Sequence, residues 1–108
     1  MPAIAVRITR FVDDHFPGFV ECELVDAARL SHIFVEKVPV VTTEELSSSS
    51  CYPCAGLIGC QVLAQWADAD GVWHSRIDTS KPCGVESSAG VTELVVASSQ
   101  IVGSCDDV

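Results

Sequence analysis

The side chains best suited to chemistry stand in three short runs. Cys51-Tyr52-Pro53-Cys54, with Cys60 close behind, sets two thiols at C-x-x-C spacing. A loop of that spacing can turn both sulfurs toward a soft metal such as zinc, which asks for four donors in a tetrahedron. The remaining donors are not supplied. Cys83 and Cys105 stand singly, and His15, His32 and His74 are scattered, whereas a zinc knuckle shows a second pair at similar spacing. A redox dithiol would place its first cysteine at a helix N-terminus, where the dipole lowers the thiol pKa. Here Gly56 and a strand-like run from Leu57 follow instead. Cys51 and Cys54 therefore stand as metal candidates of an incomplete set. The expectation is ordinary loop thiols and no cofactor.

Asp13-Asp14-His15 puts two carboxylates beside an imidazole, a group able to position a water or a metal. Its setting is a turn-rich stretch that continues into Phe16-Pro17-Gly18, and a solvated turn accounts for it equally well. Asp68-Ala69-Asp70-Gly71 has part of the grammar of a calcium loop. Aligning Gly71 with the loop's sixth position puts Trp66 and Ile77 where the first and twelfth ligands belong, and neither offers an oxygen. The run is a hairpin turn, with Gly71 at φ > 0 in a type I turn plus bulge. Asp14, His15 and His74 remain as candidates for an alternative reading, an enzyme or small-ligand site at the mouth of a barrel. Trp66 and Trp73 would be its apolar wall, although paired in one hairpin they are expected in the core. No G-x-S-x-G elbow, phosphate-binding glycine loop or H-E-x-x-H occurs, so no catalytic residues are assigned and enzyme activity is not expected. The absence of any asparagine excludes N-glycosylation.

The elements that must position these groups are strands. Ile4, Val6 and Ile8 alternate with Ala5, Arg7 and Thr9, and Val20, Cys22 and Leu24 with Glu21 and Glu23, the two-residue period of half-buried strands. Pairing Ile8 with Cys22 and Val6 with Leu24 gathers the apolar residues on one face. It also brings Arg7 opposite Glu23 and Thr9 opposite Glu21. A slip of one residue would turn that face to water. Asp26-Ala27-Ala28-Arg29 makes a tight return into a third strand from Leu30 to about Val41, with Ile33 and Val35 inward and His32 and Phe34 outward. Pro39 marks an edge or a bend there. Ile58 to Trp66 and Trp73 to Ile77 form a hairpin pairing Trp66 with Trp73, Ala64 with Ser75 and Val62 with Ile77. Val91 to Val102 gives a last strand or a bent pair. The only helical turn expected is over Thr42 to Leu46. About six strands in hairpin or meander order predict an all-β domain spanning residues 1–108, a small antiparallel partly open barrel or a two-layer sandwich. The shortness of the chain favours the barrel.

This register carries a functional reading. It places Phe11 opposite Phe19 and Phe34 opposite Glu21, all on the wet face, and clustered exposed aromatics mark interfaces. The expected function is a non-enzymatic binding or self-assembling module that uses Phe11, Phe19 and Phe34 to hold a protein partner or a second copy of itself. The six basic and fifteen acidic residues, a formal charge of −9, repel nucleic-acid phosphate and anionic lipid. The same charge suits an acidic inhibitor of a basic toxin or nuclease. No signal-like start or membrane-length apolar run is seen, so a cytoplasmic location with reduced cysteines is expected.

Overall fold

Residues 2–103 are described by the computed structural model; Cys105 lies outside them. The chain forms strands β1 (Ala3–Asp13), β2 (Phe19–Val25), β3 (Ser31–Lys37), β4 (Cys54–Gly59), β5 (Gln61–Ala67), β6 (Trp73–Asp78), β7 (Glu93–Ala97) and β8 (Ile101–Val102). One helical turn, α1 (Val38–Val41), follows β3, and a 3-10 turn spans Ser98–Gln100. The antiparallel, nearly all-β architecture is the one that alternation predicts. Of the two forms expected, a partly open barrel or two layers, the strands take that of two antiparallel sheets not closed into a barrel. The first has the order β3-β2-β1-β4 with β8 also beside β1, and the second runs β5-β6-β7. The expected long strand ending at Trp66 starts earlier, at Cys54, and breaks at Cys60, so β4 and β5 belong to different sheets.

One hydrophobic core lies between the sheets. Ile4, Ile8, Leu24, Phe34 and Ile58 come from the first, and Ile77, Leu94 and Val96 from the second. Arg7 pairs with Glu23 and Ile8 with Cys22, as alternation requires. Arg7 Nη2 donates to Glu23 Oε1 at 2.8 Å on the outer face. A bulge then falls between Ile8 and Arg10. Thr9 is the extra residue, and its hydroxyl donates to the Glu21 carbonyl and carboxylate at 3.0 Å each.

Two corrections follow from this register. Beyond the bulges Phe11 opposes Val20, and Phe19 opposes Asp13, so Phe11 packs against the core rather than facing Phe19 across the wet side. In β3 the expected phase is inverted: Phe34 opposes Cys22 and is fully buried, while Val35 opposes Glu21 and is exposed. The Asp26 turn fixes this phase by setting Ser31 opposite Val25 and His32 opposite Leu24. Burying the larger phenylalanine then contributes about 2–3 kcal/mol to that choice. The helical turn also moves, from the expected Thr42–Leu46 to Val38–Val41, where Pro39 occupies the first turn and needs no amide partner.

Candidate functional site

Phe11, Phe19 and Phe34 do not form an exposed face. Phe34 is in the core, Phe11 is packed on it, Phe19 is half-buried, and the phenylalanine that does meet water is Phe16, 96% exposed at the tip of the β1–β2 loop. Beside it, Asp13, Asp14 and His15 do converge. Their ligand atoms lie within 4.8 Å of one another, the one such group of three or more among the described residues. Asp13 Oδ1 accepts from the His15 amide at 2.9 Å and meets His15 Nδ1 at 2.6 Å. These bonds hold the Asp13 carboxyl below its ordinary pKa and raise that of His15. All three residues are exposed, and the loop's own amide and imidazole account for the arrangement.

Cys51 and Cys54 are not in that group. Cys54 belongs to strand β4, opposite Ile8, rather than to a loop. Burial, then the charges of Glu44 and Cys51, push its thiol pKa up, against thiolate formation. Burial likewise pushes Cys22 up to about 12 and Cys60 up to about 11. These are packing residues with inert thiols.

A third place emerges from the turns. Asp26 and Asp68 open turns of one design. In the first, the Asp26 amide donates to the Leu30 carbonyl at 2.9 Å and the Arg29 amide to the Asp26 carbonyl at 3.0 Å. Asp26 Oδ1 accepts from the Ala28 and Leu30 amides, and Oδ2 lies 2.8 Å from His32 Nε2. In the second, the Asp68 amide donates to Val72 and Gly71 to Asp68. Asp68 Oδ1 accepts from the Asp70 and Val72 amides, and Oδ2 lies 2.9 Å from His74 Nε2. Arg29 at φ 65° and Gly71 at φ 80° occupy the same left-handed position. Ser87 builds a third turn of this kind with its hydroxyl, Gly90 and Val91, but without a histidine. The design is a type I turn closed by a bulge, with a carboxylate locking two amides and a histidine six residues on. The pattern D-A-x-x-x-x-H occurs twice in the sequence, at 26–32 and 68–74.

Burial opposes ionisation of Asp26, but the His32, Leu30 and Ala28 bonds outweigh it and hold the carboxyl below its usual pKa. The His74 bond, then the Val72 amide, does the same for Asp68. Both are carboxylates at neutral pH.

The two turns meet at one cleft of about 320 Å³. A bulge between Val62 and Ala64 shifts the hairpin register, so Trp66 opposes His74 and Trp73 opposes Ala67 instead of each other. The tryptophans consequently sit on opposite faces, 40% and 56% exposed rather than buried. Trp66 and His74 stack with centroids 6.1 Å apart and planes 22° apart. They line the cleft together with Val95, Asp26 and Asp68. The Ala27 amide donates to the Val95 carbonyl at 2.9 Å, docking the β2–β3 turn on the second sheet. Of the ligand candidates, His74 lines this cleft with Trp66. Asp14 and His15 lie at the other end of β2, a strand of roughly 20 Å. A second depression of about 620 Å³, between Val40, Ala5, Leu57 and Val102, is lined by no titratable side chain. Among the described residues no helix is long and apolar enough to cross a membrane. No known family, curated protein or solved structure matches the chain.

Proposed function

We propose that the chain is a non-enzymatic protein-binding domain that meets its partner with the outer face of the β5–β6–β7 sheet. The observation that carries this reading is Trp66, held against His74 and open to solvent in a cleft also lined by two carboxylates. Tryptophan is one of the residue types enriched among binding anchors. Exposed Val95 continues its surface across β7. No serine, threonine or cysteine lines the cleft. The charge of −9 favours a basic partner, as for an acidic inhibitor, over a second copy carrying the same charge.

A photo-crosslinking amino acid in place of Trp66 and, separately, of Phe16 tests this in cells. Adducts to one defined protein from position 66 and not from position 16 are expected. Identical adduct patterns from both positions would remove the reading.

A further inference from the structure

Resting on that reading, we propose that the cleft between the Asp26 and Asp68 turns is the subsite for an arginine side chain of the partner. An indole, an imidazole and two carboxylates line the cleft, and none of its lining residues is a lysine or arginine. A planar guanidinium stacks on an indole face while its N–H groups reach carboxylates at the edge, a combination that a compact ammonium satisfies less well. Each carboxylate has capacity for it. Asp68 receives two amides on Oδ1 and one imidazole on Oδ2, and a carboxylate offers about four acceptor positions. Asp26 is engaged in the same pattern.

The cleft is also built before the ligand arrives. The Asp68 amide bonds fix one turn, and the Ala27–Val95 bond fixes the other against the sheet. Little side-chain freedom remains to be lost on binding. Arg29 adjoins Ala28 in the β2–β3 turn but does not line the cleft; the cation on strands β5 to β7 is Arg76, opposite Val95 on β6. It is directed to Glu93, 4.0 Å away, and does not line the cleft. A second copy of the chain would bring fifteen acidic residues against six basic ones to a cleft that is itself acidic, so a basic partner is the occupant the charges select.

The probes are the blocked tripeptides acetyl-Gly-Arg-Gly-amide and its Lys and Glu counterparts, with the Trp66 indole N–H resonance as the reporter. The arginine peptide is expected to shift that resonance saturably, the lysine peptide more weakly and the glutamate peptide not at all. Asp68→Asn keeps the amide-accepting oxygen and should weaken the arginine response about threefold; Asp13→Asn, at the distant loop, should leave it unchanged. Equal responses to arginine and glutamate, or equal losses in the two variants, would overturn the proposal. So would a dimer in sedimentation velocity that Trp66→Ser dissolves, which makes a second copy the occupant. Crosslinks from position 66 without an arginine response would leave the binding face standing and remove only its arginine subsite. An arginine response without crosslinks would do the reverse.

Discussion

The Asp26 and Asp68 turns share a hydrogen-bond diagram and differ in everything around it. The Asp26 side chain is 12% exposed, its turn is docked on β7 through the Ala27 amide, and an arginine holds the left-handed position. The Asp68 side chain is 38% exposed, its turn ends a free hairpin, and a glycine holds that position. A local code thus serves two purposes. In one place it joins the two sheets of a fold that has no closed barrel to hold them; in the other it presents a carboxylate, an imidazole and an indole to solvent. The same aspartate should therefore matter to stability in the first turn and to recognition in the second.

Truncating the two aspartates tests the contrast most strongly. Asp26→Ala removes the acceptor for two amides and for His32 at the seam between the sheets, and should cost about 2 kcal/mol in urea unfolding. Asp68→Ala should shift the melting temperature by less, because water replaces its bonds, while abolishing the arginine response. Equal destabilisation by both would end the distinction. Acid sharpens it. The Asp26 carboxyl titrates lower in the folded chain than in the unfolded one. The folded state therefore takes up fewer protons in that interval. Its contribution is complete above about pH 4 and drains away as pH falls through the folded value. Asp26→Asn should flatten the loss of stability between pH 6 and pH 3 measured by the same unfolding experiment.

The left-handed positions come next in size. At Gly71 an added Cβ would meet nothing within 4 Å, so Gly71→Ala isolates the backbone cost, about 1 kcal/mol of destabilisation. Arg29→Gly relieves the same strain but loosens the unfolded chain, for a net gain of about 0.5 kcal/mol. Thermal melts showing the opposite signs would mean that Arg29 is held by its side chain rather than tolerated by its turn.

How far these turns were legible depends on what fixes them. The Gly71 turn was readable because its chemistry is local: aspartate, then glycine three residues on. The first pairing of β1 with β2 was readable for the same reason, since apolar alternation and the Arg7–Glu23 pair agree on one register. What failed was the phase of strands past a bulge and, in β3, past the Asp26 turn. Thr9 in β1 and the irregularity between Val62 and Ala64 each insert a residue that no pattern of types announces, and each moves the aromatics after it to another face. The candidate site inherits that failure. His74 and Trp66 were both named, but the cleft needs Asp26, forty-two residues earlier than Asp68 in the sequence, and only the packing of one sheet's turn on the other sheet supplies it.

The smallest effect is also the cleanest separation of the two turns. Residue i+1 of a type I turn has the φ that proline prefers, so proline fits after either aspartate without altering the turn. At Ala69 the amide has no partner among the described residues, and Ala69→Pro should be neutral or stabilise by up to about 1 kcal/mol through the unfolded chain. At Ala27 the same substitution deletes the bond to the Val95 carbonyl and leaves the rest of the turn in place. The loss of that bond, about 1 kcal/mol, should cancel the gain. The difference between the two proline variants in chemical unfolding then measures the sheet-to-sheet bond itself. If both variants gain equally, the turn at Asp26 is as free as its twin, and the seam between the sheets is held by the core and by bonds such as Ser88 to the Ile33 carbonyl and Gln100 to the Val25 carbonyl.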